Sequence, residues 1–332
     1  MSQVFTDNTD CFNVSNIYNN FVALIPADDE PKIRAWLSPL EPQVRHQDIR
    51  EQRVDSIGNW LLETREFRSW YNGNENGGSD HMVLFCYGDP GVGKSYIWYE
   101  RPPVRNKQRS LLLIGRDGSS VVVDYLCNQA IEKSIAVACF YYDFASREAQ
   151  SPTNILGSLL KQLLPGLGAI PAEIGRSFWG HNKVIGGRKL QLPDIVKMFA
   201  TVSSLQRTFI CVDALDECIP KHRLEVLDAL GEILQRSPDT RLFMTGRPYI
   251  REAVGRELGG RVISISIRPR DSDIVAYLRA RLRKDTTPEV MNSELEDDIM
   301  KSIPEEVSET YVEVGARQTF ISRILTGANL DS

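Results

Sequence analysis

Short apolar runs alternate with amphipathic stretches along most of this chain. Continuous apolar runs predict buried strands at 82–87, 135–144, 208–212, 242–245 and 262–267. Apolar residues at three- and four-residue steps predict helices at 154–164, 194–205, 223–235 and 271–282. Strands and helices that alternate at this spacing predict an α/β fold, in which helices cover both faces of a mostly parallel sheet.

The pattern divides the chain into four predicted parts. Residues 1–35 show little periodicity and are predicted to be a poorly ordered lead-in, and residues 36–80 are predicted to be a helical segment with a linker. Residues 81–268 form the predicted α/β core, and residues 269–332 a truncated helical extension. Within the core, the helix at 223–235 carries a leucine stripe that we expect to face inward, made of Leu224, Leu227, Leu230 and Leu234.

A glycine-rich octapeptide follows the first predicted strand. Its residues are Gly88, Asp89, Pro90, Gly91, Val92, Gly93, Lys94 and Ser95. This is the complete spacing of a phosphate-binding P-loop, in which Lys94 supplies a charge to the β- and γ-phosphates and Ser95 a hydroxyl ligand for Mg²⁺. Average residue frequencies give such a match by accident in roughly 1% of chains of this length. The predicted ligand is therefore a nucleoside triphosphate, and an accidental glycine-rich turn is disfavoured.

Three acids follow the strand predicted at 208–212. Asp213 ends that strand, and the carboxyl ends of parallel strands meet at the ligand-binding edge of an open α/β sheet, so we assign Asp213 to Mg²⁺. Asp216 and Glu217 come next, where a carboxylate is well placed to orient an attacking water, with Glu217 slightly preferred. The alternative is that both acids cap the following helix.

An arginine follows the strand predicted at 242–245. Arg247 stands in a Thr-Gly-Arg-Pro turn at the carboxyl end of that strand, from which its guanidinium is expected to reach the γ-phosphate. The alternative is a surface arginine in a turn.

Composition narrows the function classes. The 332 residues are 42% hydrophobic and 25% charged, with a net charge of −5, which argues against a nucleic-acid or membrane-surface partner because either normally needs a basic face. No apolar run approaches the ~20 residues that a bilayer span needs. The six cysteines contain no C-x-x-C pair and the four histidines no zinc-ligand spacing. We therefore expect a reduced, cytoplasmic protein that has no zinc site.

Further motifs accompany these elements. They are Trp36-Leu37-Ser38-Pro39-Leu40, the stretches 46–50 and 150–156, Asp213-Ala214-Leu215-Asp216-Glu217, Thr245-Gly246-Arg247-Pro248 and Asp273-Ile274. Together with the P-loop, they make the chain resemble the NACHT class of STAND P-loop NTPases, and in particular the nephrocystin 3-like N-terminal domain of large fungal signalling proteins. The resemblance runs from about residue 36 to about residue 314.

The resemblance implies a three-layer α/β/α P-loop NTPase that acts as a signalling switch in fungal self/non-self recognition or programmed cell death. Such switches hold ADP at rest, exchange it for ATP or GTP with Mg²⁺, hydrolyse it slowly and self-associate through this domain. By position, Asp213 matches the magnesium acid, Asp216 and Glu217 match the adjacent acidic pair, and Arg247 matches the sensor. The helix before the P-loop, with Arg50, Arg53 and Ile57, is expected on the adenine side.

The chain departs from the family pattern in two places. Residues 96–118 separate the P-loop from family-like sequence that resumes at Ser119, and Pro102-Pro103 interrupts any helix there. This segment is either a retained intron or gene-model error, which we favour, or a native loop. The sequence also stops before the winged-helix and repeat regions that usually follow, and no upstream effector is recognisable.

Three functions remain open at this point. The leading one is the nucleotide-driven switch with slow hydrolysis. The second is a degenerate NTPase-fold scaffold that acts only through protein contacts. A true turnover enzyme is least favoured, because no protein-kinase signature is present and no arginine stands clearly as a trans finger.

Overall fold

The computed structural model describes residues 29–52, 57–73, 81–88, 118–182, 190–268, 270–283 and 296–302. Its strands are β1 (Val83–Tyr87), β2 (Ile135–Tyr141), β3 (Arg207–Asp213), β4 (Thr240–Gly246) and β5 (Val262–Ser266). Its helices are α1 (Glu30–Leu37), α2 (Pro42–Gln52), α3 (Trp60–Glu63), α4 (Arg65–Asn72), α5 (Gly118–Glu132), α6 (Pro152–Leu163), α7 (Ala172–Asn182), α8 (Leu192–Ser203), α9 (Pro220–Arg236), α10 (Arg251–Leu258) and α11 (Asp271–Arg283). Residues 296–302 are also helical.

The five strands form one sheet in the order β2-β3-β4-β1-β5, and each neighbouring pair is parallel. The predicted parallel sheet is confirmed. One strand, β4, lies between β1, which leads into the P-loop sequence, and β3, which ends in Asp213. All carboxyl ends therefore open at the same edge of the sheet.

Helices cover both faces of the sheet, because successive strand residues point to opposite sides. On one face, Val83 and Phe85 pack with residues of α6, α8, α9 and α10; on the other, Leu84 and Cys86 pack with residues of α2, α4 and α5. The predicted three-layer α/β/α architecture is confirmed.

The helices before the P-loop supply much of the second layer. Trp70 of α4 is fully buried, its ring lies 5.5 Å from that of Phe209 on β3 and 6.1 Å from that of Phe243 on β4, and its indole N–H donates to the carbonyl of Met82 at 3.2 Å. The Phe67 ring lies 5.5 Å from the Trp70 ring and is tilted against it by 53°. The helix α4, from the segment predicted to be helical, thus packs directly on the strands of the sheet.

The chain from α1 to α2 is held against α6 by polar contacts. The Ser38 hydroxyl donates to the carbonyl of Asn154 at 2.7 Å, and the buried Lys161 ammonium donates to the Ser38 carbonyl at 3.1 Å and pairs with Glu41 at 2.7 Å. Gly157 permits this approach, because a Cβ there would lie 2.0 Å from the Leu37 carbonyl oxygen. The helix α1 begins inside the predicted lead-in 1–35, and residues 1–28 lie outside the described part.

The Gln162 side chain covers the middle of the sheet edge at β2. The Gln162 amide accepts from the backbone N–H of Cys139 at 3.0 Å and donates to the carbonyl of the same residue at 2.9 Å. Gln162 belongs to α6, so this helix supplies Cys139, in the middle of β2, with the two hydrogen bonds that a further strand would make there.

Cysteines in the described residues are free. Cys86, Cys139 and Cys211 are buried in strands and face the α5 side of the sheet. Burial raises the pKa of the Cys139 thiol to about 12, so this side chain packs as a small apolar group.

Several details differ from the sequence pattern. The strand predicted at 135–144 ends at Tyr141, because the Asp143 side chain accepts from the Ala145 N–H and starts a 3-10 turn. Leu224, expected in the buried stripe of α9, is 41% exposed, whereas Leu227, Leu230 and Leu234 are buried as predicted. The pattern also does not predict α7 or α10, two short helices that bury few apolar side chains.

Among the described residues, no helix combines the length and apolar character that crossing a membrane requires. The segment 96–117 lies outside the described part, and α5 is described from Gly118 onward.

Candidate functional site

The carboxyl edge of the sheet gathers five of the residues that the sequence singles out, namely Gly88, Asp213, Asp216, Glu217 and Arg247. Gly88, the first residue of the P-loop sequence, is buried directly after β1, and its N–H donates to the carbonyl of Gly246 at the end of β4 at 3.3 Å. Asp213 ends β3 on the other side of β4. Three strand ends therefore bring these residues together from distant parts of the chain.

Asp213 is held by the strand between it and the P-loop. The Thr245 hydroxyl of β4 donates to the Asp213 carboxylate at 2.5 Å and accepts from the N–H of Ala214 at 3.0 Å. Asp213 is 3% exposed and Thr245 is fully buried. The Thr245 hydroxyl thus holds both the Asp213 carboxylate and the backbone of the next residue, Ala214.

The chain turns sharply after Asp213. Ala214 has a φ of 54°, in the left-handed region that costs a non-glycine residue roughly 1 kcal/mol or more. The following 3-10 turn, Leu215–Glu217, is closed by the Glu217 N–H, which donates to the Ala214 carbonyl at 2.9 Å, and anchored by the buried Leu215. This strained turn brings Asp216 and Glu217 back over the carboxyl edge.

Glu217 is a partly buried acid beside two others. Its carboxylate accepts from the Phe144 N–H at 3.2 Å. Burial, together with the charges of Asp216 and Asp213, raises the pKa of Glu217 to about 7, and the hydrogen bond from the Phe144 N–H opposes this rise. A carboxyl group that exchanges its proton near neutrality suits general acid–base chemistry.

Asp216 has a different environment. One carboxylate oxygen lies 3.0 Å from the Nε of Arg247, and the other accepts from the Arg247 backbone N–H at 3.1 Å. The alternative role of both acids as a helix cap is not what the structure shows, because α9 begins at Pro220 after Ile219 and none of the described side chains caps it by a hydrogen bond. The adjacent acids therefore serve separate partners.

Comparison with protein families gives a match over the same elements. The family model described as "Nephrocystin 3, N-terminal" matches residues 56–100 and 104–247, more than half of the chain. The chain belongs to the nephrocystin 3 N-terminal family. The match ends at Arg247, so the residues of the candidate site all lie within it. Its interruption at 101–103 falls inside the segment 96–118.

Solved structures similar to this nephrocystin 3 N-terminal domain are remote in sequence. A DNA replication initiation factor matches with 11% identity and a TM-score of 0.39, over 83% of this chain and 65% of its own. A Walker-type ATPase of Pyrococcus abyssi matches with 14% identity and a TM-score of 0.40, over 78% and 66%. The Drosophila ORC bound to DNA matches with 11% identity and a TM-score of 0.43, over 86% and 58%.

This chain spans less than two thirds of the length of each of those three proteins. A comparison with curated proteins finds no match.

Other predicted residues of the nephrocystin 3 N-terminal domain are only partly described. Asp89 to Ser95, including Lys94, and Arg53 lie outside the described residues. Arg50 on α2 lies 3.7 Å from the Asp124 carboxylate of α5. Their predicted contacts with nucleotide remain predictions.

Ile57 is buried in a turn that is tied to the start of α11. The Gly58 N–H and the Trp60 indole N–H both donate to the Asp273 carboxylate, at 3.3 and 3.2 Å, and the Arg270 guanidinium lies 4.3 Å from the Trp60 ring. Because α11 follows β5, which pairs with β1, this turn lies on the P-loop side of the sheet.

Sequence reasoning missed the role of Thr245. It identified this residue only as the end of a strand, although a hydroxyl at that point, on the strand next to Asp213, is the signal. Within the part of the domain that the structure describes, no group of three or more His, Cys, Asp or Glu residues is arranged to hold a metal ion. A metal at this edge would therefore need ligands from elsewhere, as Mg²⁺ does when it bridges protein and phosphate oxygens.

Proposed function

We propose that this chain binds a nucleoside triphosphate, ATP or GTP, with Mg²⁺ at the carboxyl edge of its sheet. The observation that supports it most is the buried Asp213, oriented by Thr245 on the strand that separates it from β1 and Gly88. A buried carboxylate next to the start of a complete P-loop sequence is the arrangement that a magnesium-bound phosphate tail requires.

The residues present fit a nucleoside triphosphate with bound Mg²⁺. The carboxylate of Asp213 and the hydroxyl of Ser95 are hard oxygen donors, which Mg²⁺ prefers together with waters and phosphates. In the proposal, Gly88 to Ser95 cradle the phosphates and Lys94 pairs with the β- and γ-phosphates. The metal, when bound, neutralises the charge of the transferring phosphate.

Two further residues would act on the terminal phosphate. Glu217, with a pKa of about 7, would accept a proton from the attacking water when its carboxyl group is ionised. Arg247, whose side chain is 47% exposed at the same edge, contacts the γ-phosphate and so distinguishes triphosphate from diphosphate.

We further propose that the chain works as a switch of the NACHT and STAND class. It would keep ADP at rest, exchange it for triphosphate on a signal, hydrolyse it slowly and self-associate through this domain in the cytoplasm. The family membership and the motif resemblance support this, and they also suggest a role in fungal self/non-self recognition or programmed cell death. The net charge of −5 weighs against a nucleic-acid partner.

The alternative is a degenerate scaffold of the same fold that binds no nucleotide. The observation that favours it is the segment 96–118, which carries Pro102 and Pro103 where the helix behind the P-loop would normally run.

Mass analysis of nucleotide released from the purified, denatured chain tests the proposal. We expect ADP in the wild type, and turnover far below the 1–100 s⁻¹ of kinases. Lys94→Ala should remove triphosphate binding and Asp213→Asn should remove its dependence on Mg²⁺, both with an unchanged circular dichroism spectrum. Absence of nucleotide would support the scaffold, and unchanged ATP affinity of Lys94→Ala would refute the site.

A further inference from the structure

Asp216 and Glu217 are adjacent acids, yet their described contacts differ in kind. Both oxygens of Asp216 are engaged by one residue, through the Nε and the backbone N–H of Arg247 at 3.0 and 3.1 Å. The Glu217 carboxylate accepts from the backbone N–H of Phe144. A general base needs a lone pair directed at water, and the geometry gives Asp216 less opportunity for that than Glu217.

Asp216 is itself held in place. Its carbonyl accepts from the Tyr249 hydroxyl at 3.1 Å and from the Arg223 guanidinium at 3.5 Å. Its side chain is only 7% exposed, whereas that of Arg247 is 47% exposed. The acid is therefore a fixed, buried support for a guanidinium that extends toward the surface.

The contact leaves part of the arginine for another ligand. The guanidinium meets Asp216 through Nε, and its two terminal amino groups donate no hydrogen bond to another described residue. Because Asp216 contacts both the backbone N–H and the Nε of Arg247, it restricts the directions in which the planar guanidinium can present those amino groups. Two parallel N–H donors are the usual partner of a phosphate.

We propose that Asp216 is a positioning residue, which orients Arg247 toward the terminal phosphate and so sets the preference for triphosphate over diphosphate. Asp216 does not take the proton of the attacking water, which leaves that role to Glu217. This inference rests on the proposed nucleotide-binding function and assigns separate tasks to the two acids.

The test measures the affinity of the full chain, with Mg²⁺, for ADP and for a non-hydrolysable ATP analogue. Arg247→Ala should lower the ratio of analogue affinity to ADP affinity roughly tenfold, as expected for one charge-assisted contact. Asp216→Asn should lower it to a similar extent with ADP affinity unchanged within about twofold, and the double variant should be no worse than Arg247→Ala. A matched control is Glu232→Gln, which removes the acid of the exposed Glu232–Arg236 pair at the C-terminal end of α9 and should leave the ratio unchanged.

Hydrolysis separates the two acids. Glu217→Gln should reduce turnover without changing the affinity ratio, whereas Asp216→Asn should change the ratio. Arg247→Lys is a second test that leaves Asp216 intact. Lysine keeps the charge but lacks the Nε that Asp216 contacts, so the ratio of analogue affinity to ADP affinity should fall in this variant as well.

Three results would overturn the inference while the proposed function stands. The first is a ratio of analogue affinity to ADP affinity that is unchanged in Asp216→Asn but lowered in Arg247→Ala. The second is a higher affinity for the ATP analogue in Asp216→Asn. The third is a wild-type ratio in Arg247→Lys. A wild-type chain that binds neither nucleotide would overturn the inference and the proposed function together.

Discussion

Replacing Thr245 by valine should destabilise the protein by about 3 kcal/mol. Valine keeps the shape of threonine but lacks the hydroxyl, which donates to the Asp213 carboxylate at 2.5 Å and accepts from the Ala214 N–H at 3.0 Å. Losing a hydrogen bond to a charged group costs about 1.5–3 kcal/mol, and leaving a buried N–H unsatisfied costs about 1–3 kcal/mol. The two losses share one side chain, so they do not add fully.

Urea unfolding of the wild type and the variant at one pH measures this cost as a change in the midpoint at constant slope. Thr240→Val is the matched control. Thr240 lies on the same strand β4 and is fully buried, but its hydroxyl has no hydrogen-bond partner among the residues that the structure describes, so the substitution should be neutral or stabilising. The reasoning is refuted if Thr245→Val costs less than about 0.5 kcal/mol, the usual range of inconsequential substitutions.

Two further predictions concern packing and pH. Gly157→Ala should destabilise the fold by about 2 kcal/mol or more, because its Cβ would lie 2.0 Å from the Leu37 carbonyl oxygen. Gly255→Ala should instead stabilise the fold by about 0.5–1 kcal/mol, because Gly255 is helical and its Cβ would meet no atom of the described residues within 4 Å. Urea unfolding that ranks the two variants the other way would contradict the packing. The pKa of Glu217 is raised from 4.5 to about 7 in the folded protein, so its stabilising contribution is complete below pH 4.5 and is lost as the pH rises through 7. The gain in stability of Glu217→Gln over the wild type should therefore increase between these pH values, by at most about 3 kcal/mol, and a difference that does not vary with pH would show that the raised pKa is wrong.

The fold was largely predictable because its strands and helices bury apolar residues at regular intervals. The apolar run at 208–212 and the acid that follows it predict β3 and its end, and the parallel arrangement follows from the alternation of strands and helices. The short helices α7 and α10 were not predictable in this way. In α10 only Val254 and Leu258 are buried, which is too little periodicity to separate a helix from a loop.

The site was predictable as a set of residues but not as a network. The position of Asp213 follows from the strand that it ends, since that feature is local in sequence. Its partner Thr245 depends on β4 lying between β3 and β1, and strand order is decided by packing of the whole sheet rather than by any one segment. The same holds for the contacts of Asp216 with Arg247 and of Glu217 with Phe144, which join turns after three different strands.

The Gln162 side chain also affects how separate copies of the chain behave toward each other. Its amide occupies the outward backbone groups of Cys139 in the middle of β2. Exposed backbone of that kind is the template on which strands from other molecules add and initiate aggregation. One glutamine on a covering helix thus blocks the addition of strands from other copies at the centre of β2. We expect replacement of Gln162 to lower the solubility of the protein at high concentration.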